Sequence, residues 1–254
     1  METISQPASY FDRDERPAAV PLWREALAGF DWLALRLSPV FYGCGVPAGD
    51  GASVVVVPGF LGTDLYLLEL HAWLRRIGYR PYLSRIGRNA ECLDLLVERL
   101  FDTVEQAYGE TGRPVHLIGH SLGGMLARAA AARRPDRIAS VITLGSPFRG
   151  VRSHPLVMRA TSAVRARIQR QGRPPDCYTG HCGCASVTAL QRLPAVPQIA
   201  IYTKTDGIVD WRACVNDDSE TDFEVSGTHV GLVVNPVVYR LIAIRLAAGK
   251  PTSS

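Results

Sequence analysis

Apolar positions along the chain alternate between short unbroken runs and longer, spaced sets. Val54–Val57 is a run of four valines bounded by Gly51 and Pro58. A β-branched run so short predicts a strand buried on both faces, as in a parallel sheet. Val115–Ile118, Val141–Leu144 and Ile199–Tyr202 repeat the pattern, with Tyr79–Leu83 and Phe223–Val225 as weaker versions. Helical spacings lie between them. Asp64 is placed to cap a helix carrying Leu65, Leu68 and Ala72, and Asn89 a long one carrying Leu93, Leu96, Val97, Leu100, Val104 and Ala107. Leu122–Ala132 reads as a helix, and Asn235-Pro236 opens a last one to Ala248, with Gly249 placed to end it. Ahead of the first strand, Pro21 opens an amphipathic helix with Trp23, Ala26, Leu27, Phe30, Leu33 and Leu37 on one face. Strands alternating with helices at these intervals predict an α/β architecture, a parallel sheet covered on both sides.

The rhythm breaks between Gly150 and Pro197. That interval offers one helix, Pro155 to Gln171, no clear strand, and a stretch rich in Pro, Gly and Cys. It reads as an insertion, about 151–197, forming a short cap over the carboxyl edge of the sheet. Residues 1–20, charged and Pro-containing, read as a loosely held leader, and 21–254 as one domain. With 254 residues and 47% hydrophobic composition the core needs no staple. The net charge of +4 is mild, and no nucleic-acid-binding motif is present. The N-terminus lacks a basic start followed by an apolar run, and the stretch from Phe30 to Tyr42 is interrupted by Asp31, Arg36 and Pro39. Cytoplasm is the default expectation.

Chemistry enters with Gly119-His120-Ser121-Leu122-Gly123, directly after one strand and before a helix. A strand-to-helix turn that sharp raises the serine above the sheet and needs Gly two residues to either side. The helix starting there aims free N–H groups and its dipole at any developing negative charge.

With GHSLGG at 119–124, the chain resembles the α/β-hydrolase lipases and esterases. The likeness continues through VVVVPGFLGTD, LGSPFRG, TDGIVDW and SGTHVGL, from about Trp23 to Ala247. It implies an α/β-hydrolase fold, a mostly parallel sheet flanked by helices, and a serine esterase or lipase working on acyl-chain esters. A serine hydroxyl needs a base oriented by a carboxylate, and in this fold acid and base follow the last two strands in that order. The matching positions are Asp206, beyond Ile199–Tyr202, and His229, beyond Phe223–Val225, with Asp210 the rival acid in a blander salt-link role. The oxyanion donors implied are the backbone N–H groups of Leu122 and Phe60. Pro58 stands where the family usually has His, which removes a possible side-chain support. Leu61, Phe148, Leu156 and Met158 are the expected acyl-chain contacts, with Leu65 near the mouth. His71, His116, His120, His154 and His181 read as surface or packing histidines.

The mechanism requires no metal and no cofactor. Cys177, Cys182 and Cys184, with His181 among them and Cys214 thirty residues on, carry only half of a usual zinc spacing. Disulfides, free thiols and zinc all stay open for them, and disulfides would imply an oxidising compartment. The interval 151–197 holds seven arginines against one aspartate, so a cap touching an acidic lipid surface stands beside a solvated helix that covers the site with its apolar side. A thioesterase or acyltransferase on the same triad is the neighbouring alternative. A catalytically silent binding protein that kept the fold is the alternative of another class.

Overall fold

In the computed structural model the described residues are 21–150, 153–172, 184–190, 192 and 195–248. The expected leader, Gly249, His181, Cys177 and Cys182 lie outside them. Six strands form at the six expected places: β1 Ser53–Val57, β2 Arg80–Leu83, β3 Val115–His120, β4 Ile138–Leu144, β5 Gln198–Tyr202 and β6 Asp222–Glu224. They make one sheet in the order β2-β1-β3-β4-β5-β6, and every neighbouring pair is parallel.

The valine run shows why such a sheet is stable. Side chains alternate across a strand, so Val54 and Val56 enter one core and Val55 and Val57 the other. All four are fully buried, and each contributes about 1.5–3 kcal/mol by leaving water. The Val55 side is covered by α3 (Leu93–Thr111) and α4 (Leu122–Arg133). The Val54 side is covered by α2 (Leu68–Arg76) and α7 (Pro236–Ala248), with Trp73 against Tyr239 at 4.5 Å between ring centres.

Two expected caps do other work. Asp64 heads a 3-10 turn before α2 without capping it; its carboxylate accepts from Ser84 N, Ser84 Oγ and Arg85 N, tying that turn to the end of β2. Asn89 does not cap α3, which starts at Leu93 after Cys92. It is fully buried and braces the loop after β1. The N-terminal helix also departs from its pattern. A 3-10 turn, Leu22–Leu27, runs into α1, Ala28–Leu37, but Trp23, Phe30, Leu33 and Leu37 face outward, between 47% and 77% exposed. The inward face carries Glu25, Asp31 and Leu35, because the Glu25 carboxylate there accepts from the main chain at Val230 and that of Asp31 from the Asn235 side-chain amide.

The interval between β4 and β5 contains the expected helix, α5 (Pro155–Arg170), and a second one the pattern did not show, α6 (Ala185–Leu190). Asp94 of α3 accepts from Ala185 N, Ser186 N and Ser186 Oγ. That anchorage holds six residues as a helix despite their weak periodicity. Among the described residues no helix is long and apolar enough to cross a membrane.

Candidate active site

β1 and β3 lie side by side, but the chain leaves them for β2 on one side and β4 on the other. Loops that part company leave a crevice at the carboxyl ends of such strands. Ser121 stands there, between β3 and α4, with φ 51° and ψ −124°. Only close backbone packing permits this turn. A Cβ on Gly119 would lie 2.4 Å from the backbone of Gly123 and Gly124, and one on Gly123 2.3 Å from the Val57 carbonyl. Ser121 N donates to Leu144 O at 2.8 Å, which fixes the elbow to the end of β4.

Asp206 and His229 come from the loops after β5 and β6. His229 Nδ1 and Asp206 Oδ2 are 2.6 Å apart, with side chains 3% and 2% exposed. The other carboxylate oxygen accepts from Ile208 N at 2.8 Å and Val209 N at 2.7 Å. A carboxylate so held makes Nδ1 the protonated nitrogen and leaves Nε2 with the lone pair. Burial alone would lower the basicity of His229, but the charge and hydrogen bond of Asp206, then the charge of Glu25, raise it above its ordinary value. The ring reaches back over the end of β4 because Gly145 has φ 55° and no side chain; a Cβ there would sit 3.1 Å from His229 Nδ1. Ser121 and His229 line one cavity of about 430 Å³.

Phe60 and Leu122 line the same cavity. The loop bearing Phe60 is anchored on both sides. Leu61 N donates to Asn89 O at 2.8 Å, Asn89 N to Gly62 O at 2.9 Å, and Asn89 Nδ2 to Pro58 O at 2.7 Å. Gly59 N donates to the Tyr66 hydroxyl. Tyr66 Oη lies 3.0 Å from His120 Nδ1, and His120 Nε2 lies 3.0 Å from the His229 carbonyl oxygen. That carbonyl can only accept, so Nε2 carries the proton and Nδ1 accepts from Tyr66. Tyr66 and His120 thus connect the loop of Phe60, at Gly59, to the backbone of His229. Burial, then the neighbouring His229, drives His120 down to about 3, so it stays neutral. Tyr66 and His120 supply the support that Pro58, in place of His, withholds.

Asp210, the rival acid, is occupied otherwise. Its Oδ1 accepts from Arg212 N at 3.0 Å and from Arg212 Nη1 at 3.3 Å. Of the expected acyl contacts, Leu61 and Leu156 line the cavity, joined by Met125, Val157, Ala160 and Ile208. Phe148 does not; it is buried beside Met125 and Ala200, with the Arg128 guanidinium 3.6 Å from its ring centre. Met158 belongs to α5 but is outside the cavity lining, because residues 156, 157, 160 and 161 form the face turned inward. Leu65, 73% exposed, also lies outside it. Cys214 is a buried free thiol with Sγ 3.7 Å from Asp210 O, and among the described residues no three His, Cys, Asp or Glu side chains form a metal-binding group. Asn89, Tyr66, His120 and Glu25 escape a sequence reading because each contacts residues far away in the chain or distinguished only by a backbone atom.

The family model for the alpha/beta hydrolase fold matches residues 97–173. A triacylglycerol lipase of Burkholderia plantarii is 32% identical over 133 residues, 49% of this chain; the match spans 37% of that relative's length. Among solved structures, the monoacylglycerol lipase of Paleococcus ferrophilus superposes with a TM-score of 0.56 at 18% identity, covering 81% of this chain and 97% of that one. A metagenomic carboxyl esterase gives a TM-score of 0.56 at 16% identity, covering 94% and 96%.

Proposed function

We propose that this chain, which has the α/β-hydrolase fold, is a serine hydrolase that cleaves carboxylic esters with an acyl chain. The observation that carries the reading is the buried 2.6 Å Asp206–His229 pair, set in the same cavity as a serine on a strand-to-helix elbow. Ser121 Oγ attacks the ester carbonyl while His229 Nε2 takes its proton. The N–H groups of Phe60 and Leu122 receive the charge that develops on the carbonyl oxygen. His229 then protonates the departing alkoxide, leaving an acyl-enzyme. Water, deprotonated by His229, releases the acid and restores Ser121. Asp206 holds the tautomer and stabilises the imidazolium. Leu61, Met125, Leu156 and Val157 give the acyl chain an apolar bed.

The same proposal makes α5 the cap of this site. Its link to the body supports that. Ser153 bridges to Val209, and His154 N donates to Ile208 O at 2.7 Å, next to the Asp206 loop. Arg159, Arg165 and Arg170 on α5 would meet an acidic lipid surface, which flotation with anionic against neutral vesicles checks. Hydrolysis of p-nitrophenyl esters of increasing chain length, by wild type and Ser121→Ala, tests the chemistry. The variant folds and loses activity by at least about a thousandfold. A variant that hydrolyses short esters at the wild-type rate refutes the assignment.

A further inference from the structure

The N-terminal helical segment turns its acidic side inward and its apolar side out, the reverse of what its sequence pattern asks. The inward side meets the loops that carry Asp206 and His229. Glu25 Oε1 accepts from Gly207 N at 2.9 Å and from His229 N at 3.2 Å, and Oε2 accepts from Val230 N at 2.9 Å. One carboxylate therefore holds three main-chain donors from two loops that follow different strands. The fit is close: a Cβ on Gly207 would come within 3.0 Å of Glu25 Oε1. Asp31, one helical stretch further on, reaches the same late loop, with Asn235 Nδ2 at 3.4 Å from its Oδ1.

We infer that Glu25 is a positioning residue of the active site, whose carboxylate sets the placement of the Asp206 loop against the His229 loop and adds negative charge behind the imidazole. The geometry explains both parts. Gly207 directly follows Asp206, and the bonded amides at 229 and 230 begin the 3-10 turn Val230–Val234. Main-chain donors at a helix start suit an anion, and here the anion spans to the partner loop as well. A displacement of one loop by a fraction of an ångström would lengthen the Asp206–His229 contact and move Nε2 relative to Ser121.

Among the described residues, four charged or titratable groups surround His229. Asp206 is bonded to it, Glu25 lies behind its backbone, His120 stands 4.7 Å away ring to ring, and Asp31 flanks Gly231. His120 stays neutral at working pH, so the carboxylates govern where His229 titrates. Each stabilises the imidazolium and raises the pH at which the free base appears.

The inference rests on His229 being the base, and the experiment separates the two. Wild type, Glu25→Gln and Glu25→Asp are compared in kcat and KM for a short p-nitrophenyl ester, in the pH dependence of kcat/KM, in the rate of fluorophosphonate labelling, and in thermal unfolding. Glu25→Gln keeps the shape but removes the charge and sets an NH2 against a main-chain donor. Its kcat falls about ten- to a hundredfold with little change in KM, labelling slows in parallel, and the acid limb of kcat/KM moves to lower pH. Glu25→Asp retains the charge and retracts it by one methylene, so kcat falls while the limb stays near its wild-type position. If folded Glu25→Gln keeps the wild-type kcat and limb, the inference is overturned, even where its melting temperature drops. Should Glu25→Gln not fold, a wild-type kcat in Glu25→Asp overturns the positioning role and a reduced one supports it. Failure of the underlying reading looks different: wild type itself is then not labelled by the fluorophosphonate.

Discussion

Asp206 and Asp210 lie on one loop, and their surroundings give them different work. Asp206 divides its oxygens between two main-chain donors and His229, so its charge is fixed beside the imidazole. Asp210 caps the 3-10 turn Trp211–Cys214 and pairs with an arginine that is 57% exposed. Replacing Asp206 by Asn keeps the volume but offers His229 an N–H2 group or a neutral oxygen, which no longer fixes the tautomer. We expect kcat to fall on the order of 1,000- to 10,000-fold. Asp210→Asn retains a good capping oxygen and should change stability by less than about 1 kcal/mol and the rate hardly at all. Parallel steady-state kinetics and thermal melts check both, and the opposite ranking of the two variants would move the acid to Asp210.

At the scale of elements, the cavity wall depends on which face of α5 turns inward. Residues 156, 157, 160 and 161 line it, while Val164 and Ile168 on the same helix enter the core cluster of α3 and α4. The helix is thus anchored by its second half and works on the cavity with its first. Leu156 is 52% exposed, so Leu156→Ser should cost little stability. It should nonetheless weaken long acyl chains relative to short ones, since each buried CH2 is worth about 0.8 kcal/mol. The readout is the ratio of kcat/KM for octanoyl and acetyl esters; an unchanged ratio would remove α5 from the acyl bed. Met158→Ser, on the side away from the cavity, is the control.

For the molecule as a whole, buried histidines couple stability to pH. His116 and His120 are each 6% exposed. Burial pushes His116 down to about 4, with Ser140 Oγ 2.7 Å from its Nδ1, and His120 down to about 3. In the unfolded chain both titrate near 6.5. Above that value both states hold them neutral and nothing changes. Below it, the unfolded chain takes up protons that the folded one refuses, so stability falls with falling pH, by on the order of 1 kcal/mol per pH unit for each histidine. His229 acts in another window. Its basicity is raised, so the stability it adds is present below 6.5 and is lost as pH rises through its folded value. Melting temperatures measured from pH 7.5 to 4.5 should decline, and His116→Gln should decline less steeply. Two parallel profiles would show that His116 carries no part of the effect.

Much of this was legible in the chain itself. Strand identity follows from β-branched runs because a central parallel strand is buried on both faces, and Val54–Val57 has no polar face to show. The elbow at Ser121 is legible because the turn demands glycines at fixed offsets, and the order of Asp206 and His229 follows from the resemblance to α/β-hydrolases. Tertiary structure decided what depends on main-chain atoms and on distant partners. Asn89 and Asp64 look like helix caps, since any short polar side chain before an apolar spacing does, but the acceptors and donors they meet belong to other loops. The N-terminal helix offers an apolar face and a polar one, and hydrophobicity favours burying the first. The N–H groups of the buried residues Gly207 and His229, with that of Val230 beside them, instead draw in the carboxylate of Glu25, because main-chain donors shielded from water and left without acceptors cost more than exposed apolar side chains. Those donors exist only once two loops have been brought together by the sheet, and no local pattern can announce them.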